Sequence, residues 1–135
     1  MGIDFEFEGV KITGVVDWLE KNPNGEYEVV DFKTGKWPQS QSEVEEGLEL
    51  YIYARGIEKK KTYEKLPVKA SLYFVEADKQ VTIDLDESKV KDVFDKKIKG
   101  LIQDIMAEKF DATPSSFECG RCDYLDICDA GKSVA

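Results

Sequence analysis

Two groups of residues in this chain are equipped for chemistry. The first is Asp31 and Lys33 in the stretch VVDFKTGK, with a further acid, Asp17, in GVVDWLEK upstream. The second is Cys119-x2-Cys122-x5-Cys128 near the C-terminus. The chain has no histidine, so histidine general-base catalysis and Cys/His zinc-finger patterns are unavailable to it. Carboxylates without histidine or thiol neighbours are hard oxygen ligands and suit Mg²⁺ or Mn²⁺. A lysine beside them can orient a water and offset negative charge developing on a phosphate. The plainer alternative is that Lys33 only neutralises the two acids. The three cysteines are an odd, clustered set, which points to metal binding before disulfides. Three reduced thiols in a compact tail are the alternative there.

Local structure must bring Asp17 and Asp31 together for the first group to work. In a strand, Asp31 and Lys33 share one face and Phe32 takes the other. The turn NPNGE suits a three-residue hairpin loop, with Pro23 and Asn24 central and Gly25 left-handed. That loop pairs Asn22 with Glu26. Counting back sets Asp17 across from Asp31 and Val15 across from Lys33. A four-residue loop would put the aspartates on opposite faces. On the other face Val16 meets Phe32 and Trp18 meets Val30, so the strands are expected to be buried on both sides. Two unpaired carboxylates side by side in such a setting are costly, and a cation between them removes the conflict.

The remaining elements supply the frame. FEFEGVKITGVVDWLEK and EYEVVDFK read as strands. Pro38 to Lys59 reads as one helix, with Ser40 and Glu43 at capping-box spacing. Val44, Leu48 and Tyr51 mark one apolar stripe of that helix, and Leu50, Ala54 and Ile57 mark a second. VKASLYFVEADKQVTIDL reads as a second hairpin. From Asp86 to Phe110 the apolar spacing is helical, through Val90, Val93, Phe94, Ile98, Leu101, Ile102, Ile105 and Met106. DATPSS then interrupts the pattern. The expected order is β-β-β-α-β-β-α followed by a cysteine tail, which gives an α/β fold with a mixed sheet flanked by helices. The boundary is expected between a core, residues 1–112, and a tail, residues 113–135.

Composition narrows the function classes. At 135 residues the chain has one domain's worth of core. A net charge of −9 argues against broad nucleic-acid binding through net charge alone. No apolar run spans a membrane and no secretory signal pattern opens the chain, so the expected compartment is the cytoplasm.

The ordered set GVVDWLE, GEYEVVDFKTGK, LELYIYARG and FECGRCDYLDIC resembles the RecB-like nuclease domains of the PD-(D/E)XK superfamily, in particular the iron–sulfur, helicase-associated, AddB-type members. Gly14 and Asp17 fit the first motif of that family. Val30 to Lys36 fit the second in full. Leu50, Tyr53 and Ala54 fit the third, with Glu49 where the family usually has Gln. Cys119, Cys122, Tyr124, Ile127 and Cys128 fit the fourth. The resemblance implies a restriction-endonuclease-like fold and metal-dependent hydrolysis of DNA, by an exonuclease working beside a helicase in repair or recombination. It implies that Asp17 and Asp31 bind the catalytic Mg²⁺ or Mn²⁺ and that Lys33 activates or positions the attacking water. Glu49 and Tyr53, one helical turn apart, would face the same site. For Tyr53, core packing is the alternative role. The tail cysteines would hold a [4Fe–4S] cluster. Such a cluster takes four ligands, and the fourth would come from a water, from Asp123 or Asp126, or from another chain. Zinc is the other candidate metal there. The family pattern also has an upstream helical region with a histidine ligand and the first cluster cysteine, an Arg where this chain has Trp18, and an Asp where it has Glu20. These departures imply a nuclease core without its N-terminal part, or a module that binds DNA or a partner protein and cuts weakly or not at all.

Overall fold

A computed structural model describes all residues, 1–135. The chain divides into two compact units, Met1–Ile102 and Gln103–Ala135.

The first unit opens with a hairpin, β1 (Gly2–Phe7) and β2 (Val10–Val15), paired antiparallel from Gly2↔Val15 to Phe7↔Val10. Its two-residue turn places Glu8 (φ 50) and Gly9 (φ 73) in the left-handed region, the geometry that matches strand twist in tight hairpins. A four-stranded sheet follows, in the order β3 (Trp18–Lys21), β4 (Tyr27–Lys33), β5 (Lys69–Phe74), β6 (Lys79–Asp84). β4 and β5 run parallel, and the outer pairs are antiparallel. The mixed sheet with flanking helices agrees with the expected α/β class. The sequence suggested three strands before the first helix, whereas four form. The Glu8–Gly9 turn cuts the first apolar stretch in two, and the chain leaves the extended ladder again at Val16 and Asp17.

The turn chemistry behaves as its residues dictate. Asn22 N–H donates to the Glu26 carbonyl at 2.8 Å, and Gly25 is left-handed at φ 81. The Asn22 side-chain oxygen accepts from the backbone N–H groups of Asn24 and Glu26, both at 3.0 Å. Trp18 therefore lies across from Val30, where the β3–β4 ladder ends; the expected pairs beyond it, Asp17 with Asp31, Val16 with Phe32 and Val15 with Lys33, do not form, because Val15 pairs with Gly2 and the Val16 N–H donates to the Met1 carbonyl.

The helix expected over Pro38–Lys59 is two helices, α1 (Gln41–Glu46) and α2 (Glu49–Lys59). Ser40 and Glu43 make the capping box at the start of α1. Gly47, with ψ 158, ends it, because glycine is the weakest helix former after proline and accepts the extended conformation readily. The Tyr51 hydroxyl donates to the Glu45 carbonyl at 3.0 Å and ties the two helices together. α2 buries Leu50, Tyr51, Ala54, Gly56 and Ile57. A methyl group at Gly56 would come within 2.4 Å of the Ile3 side chain, so glycine there lets α2 approach β1 closely.

The second long helix also departs from a single regular run. Asp86 caps α3 (Glu87–Val93), a π-helical turn follows over Phe94–Ile98, and α4 covers Lys99–Met106. Val90, Phe94 and Ile98 are buried in the core, but Leu101, Ile105 and Met106 are exposed. The wider turn shifts the phase of the residues after it, so the apolar stripe expected from an unbroken helical spacing does not stay on the core side. No helix is long and apolar enough to cross a membrane.

The second unit carries two short helices, α5 (Ser116–Cys119) and α6 (Asp129–Lys132), and a 3₁₀ turn at Leu125–Ile127. Gly131 is its one buried residue, and Phe117, Tyr124 and Ile127 are exposed. It holds its shape without an apolar core.

Candidate active site

β4 carries the centre of the site. Its inward side chains Val29 and Asp31 are buried, the aspartate at 4% exposure. The Lys33 ammonium lies 2.6 Å from Asp31 Oδ2 and 2.7 Å from Glu49 Oε2. That ammonium is the one polar group against the buried Asp31 Oδ2, which no backbone N–H and no other side-chain donor reaches. The contact with Glu49 is a hydrogen bond. Glu49 opens α2, where a carboxylate is favoured by the free N–H groups and the helix dipole. One turn later, the Tyr53 hydroxyl donates to Glu49 Oε1 at 3.1 Å. The Tyr53 ring lies against Gly14 of β2, where a Cβ would sit 3.4 Å from it. Packing and hydrogen bonding are thus both roles of Tyr53.

Asp17 sits just before β3 rather than in the ladder. Its Oδ2 accepts the backbone N–H of Phe32 at 3.0 Å. β3 pairs with β4 only as far as Trp18↔Val30, so the Asp17 carboxylate caps the exposed edge of β4 beside Asp31. Asp31, Lys33, Glu49 and Tyr53 are linked by these contacts into one chain, with Asp17 beside it on the Phe32 N–H and near enough for its charge to act on Asp31.

One expectation about the setting fails. Asp31 is buried, but the opposite face of these strands is open, with Trp18 53% and Phe32 45% exposed. The helices that pack on the sheet lie on the Asp31 side, and the alternation of β4 turns Phe32 away from them.

The electrostatics follow from this placement. Burial raises the Asp31 pKa; Lys33 opposes the rise, and the negative charges of Glu49 and Asp17 add to it. Burial alone would lower the Lys33 pKa, but its two carboxylate partners outweigh that and raise it. Lys33 is therefore firmly protonated at neutral pH. The Tyr53 hydroxyl is pushed up to about 12, by burial first and by Glu49 second. It is a proton donor in hydrogen bonds and not a base. A buried carboxylate oxygen met only by a lysine, beside a second carboxylate, fits a hard divalent cation. Lys33 stands in that place as the compensating charge, and no three His, Cys, Asp or Glu side chains converge there as a ready-made ligand set.

In the second unit the three thiols are free. Tight turns step the chain round them: Cys122 N–H donates to the Cys119 carbonyl, Leu125 to Cys122, and Cys128 to Leu125. All three line one open cavity of about 400 Å³, together with Glu118 and Arg121. Gly131 N–H donates to Cys128 Sγ at 3.3 Å, and a Cβ at Gly131 would lie 3.5 Å from both Cys119 Sγ and Cys128 Sγ. Asp123 and Asp126 do not line the cavity; Glu118 is the carboxylate that does. The thiols do not close into a ligating group. The sequence singled out neither Glu118 nor Gly131. The glycine in a cysteine-spaced segment was the available signal, since its backbone lies in contact range of two of the sulfurs.

A family model described as the PD-(D/E)XK nuclease superfamily matches residues 1–129. No curated protein matches the chain.

Proposed function

Because the chain belongs to the PD-(D/E)XK nuclease superfamily, we propose that it is a metal-dependent DNA nuclease in which Asp17 and Asp31 hold Mg²⁺ or Mn²⁺ and Lys33 serves the hydrolysis of a phosphodiester. The observation that carries this reading is the buried Asp31 carboxylate whose Oδ2 meets only the Lys33 ammonium, with the Asp17 carboxylate fixed on the neighbouring Phe32 N–H. When bound, the cation supplies Lewis acidity and lowers the pKa of a coordinated water.

The residues divide the remaining work. Lys33, protonated, cannot take the proton of the attacking water. It donates to that water or to a phosphate oxygen and offsets the charge that builds in the transition state. Glu49 anchors the lysine by its 2.7 Å bond, and Tyr53 anchors Glu49. Asp17 is held in place by the Phe32 N–H. Incubation of linear DNA with Mg²⁺ or Mn²⁺, with and without EDTA, tests the activity.

The reading extends to the setting. We assign the chain to an exonuclease of a helicase-linked repair or recombination system, acting in the cytoplasm, where thiols stay reduced. In the tail we assign Cys119, Cys122 and Cys128 to a [4Fe–4S] cluster whose fourth ligand lies outside these three thiols. Support comes from the tail's lack of an apolar core, since small units without one lean on a metal or on covalent links. The cavity and the space left by Gly131 are consistent with that role.

A second reading is a nuclease-like module that holds DNA or a partner protein without cutting. The absence of three converging ligands at the carboxylates favours it, and the same incubation separates the two.

A further inference from the structure

The sheet face turned away from α2 is apolar at its centre and acidic at its rim. Trp18 lies beside Val30 in one row, and Phe32 beside Tyr73 in the next. Trp18 and Phe32 are about half exposed. Side chains two positions apart in a strand share a face, so Glu20 and Glu28 stand on this side too. They pair directly across the β3–β4 ladder, and like charges so placed destabilise a sheet. Their partners are weak: the Trp18 indole N–H donates to Glu20 Oε2 at 3.4 Å, and Asn22 Nδ2 donates to Glu28 Oε1 at 3.3 Å. Lys69, the one base in that row, lies across from Glu28, with Asp84 on its far side. The Tyr73 hydroxyl donates to a further acid, Asp78.

A parallel strand pair such as β4 and β5 is normally covered on both faces, and helices are the usual cover. On the Asp31 face α2 does this with Leu50, Ala54 and Ile57. Large rings left open on the other face call for an equivalent cover. The rim decides what charge that cover carries. Glu20, Glu28, Asp78 and Asp84 against Lys69 alone repel a polyanion. Two copies of the chain meeting through this face would set acid against acid. Cations brought by a partner would instead lie between Glu20 and Glu28 and relieve their repulsion.

We propose that this face docks an amphipathic helix of another protein. Its apolar stripe, with anchors three and four residues apart, lies on Trp18, Val30, Phe32 and Tyr73, and its flanking lysines or arginines meet Glu20 and Glu28. The proposal does not rest on the nuclease reading. It places a basic protein partner on the back of β4, behind Asp31 and Lys33.

The chain has two tryptophans, so Trp37→Phe leaves Trp18 as the only indole reporter. The probes are three synthetic peptides: a helix with a leucine stripe flanked by lysines, the same composition scrambled so that no stripe forms, and the striped helix with glutamates in place of the lysines. The expected result is a saturable blue shift of Trp18 emission with the lysine helix, and affinities at least about tenfold weaker for the other two. Glu20→Lys/Glu28→Gln keeps an oxygen for Asn22 while removing the acid pair. It should weaken the lysine helix about tenfold and strengthen the glutamate helix, with circular dichroism unchanged. Glu20→Lys alone, at an exposed position, should move both peptides in the same directions and guards against a folding defect in the double variant. Equal binding of the scrambled peptide, or binding without a Trp18 shift, would overturn the proposal, since either would mean attraction to the acidic protein at large. Binding of the lysine helix that both variants leave unchanged would overturn it as well. So would a peptide-free dimer that Trp18→Lys dissolves, which would make a second copy the occupant.

Discussion

The Glu49 carboxylate holds the Lys33 ammonium at 2.7 Å across the gap between α2 and β4. On the proposed reading Glu49 acts on the chemistry through the lysine and not as a third ligand. Glu49→Gln keeps an oxygen for Lys33 and for the Tyr53 hydroxyl while removing the charge. The expected outcome is cutting within about tenfold of wild type, against losses of about a hundredfold or more for Asp17→Asn and Asp31→Asn. Rates on one DNA substrate at saturating Mn²⁺ make the comparison. A loss for Glu49→Gln as deep as that for Asp31→Asn would promote Glu49 to a ligand.

Asp31 should be more useful to function than to the fold. Its charge is disfavoured by burial and by two acidic neighbours, and Lys33, which opposes them, keeps Glu49 as a second partner. Asp31→Asn should leave metal-free stability unchanged or slightly raised, within about 1 kcal/mol. Adding Mn²⁺ should raise the wild-type melting temperature, because a ligand that binds only the folded state stabilises it, and should leave the variant unmoved. Equal shifts in the two proteins would remove Asp31 from the metal site.

Acid should loosen the start of α1. Glu43 accepts from the Ser40 backbone N–H, and that bond first, with the Ser40 hydroxyl second, lowers its pKa below the ordinary 4.5. A depressed carboxylate pKa contributes stability that is present above the unfolded value and is lost as pH falls through the folded one. Melting temperatures measured downward from neutral pH should fall less steeply for Glu43→Ala than for wild type in that acid range. Parallel curves would mean that the capping box does not persist in solution.

The tail should hold iron poorly by itself. Three thiols line the cavity, and no fourth cysteine is present in the sequence. Protein purified in air is expected to carry far less than one cluster per chain. Fusing a cysteine-bearing segment upstream should restore a brown colour with broad absorbance in the blue. A stable four-iron cluster in the unmodified chain would contradict this and direct attention to Glu118.

Much of this arrangement was legible in the sequence because it rests on local rules. The NPNGE turn fixes its loop length, and the loop fixes the register as far as Trp18 and Val30. Ser40 and Glu43 announce their helix start in the same way. The misreadings came where tertiary context decides. Gly47 could have been absorbed in a continuous helix, and only packing of α2 against Ile3 and the Tyr51–Glu45 tie select two helices instead. The π-helical turn at Phe94 leaves no mark in apolar spacing, so the exposure of Leu101, Ile105 and Met106 is not legible from that spacing. The open face at Trp18 and Phe32 escaped for a related reason. Apolar residues on both sides of a strand report a preference for burial, and whether anything is there to bury them lies beyond the strand itself.

The central claim is that Lys33, held between Asp31 and Glu49, serves a metal-dependent cleavage of DNA. The most direct measurement is the cleavage rate of linear DNA by wild type and by Lys33→Ala, in Mn²⁺ and in EDTA, with circular dichroism as the check on folding. The expected result is cutting by wild type that EDTA abolishes, and a loss of about a hundredfold or more in a folded Lys33→Ala protein. Cutting that survives Lys33→Ala, or that persists in EDTA, would contradict the account.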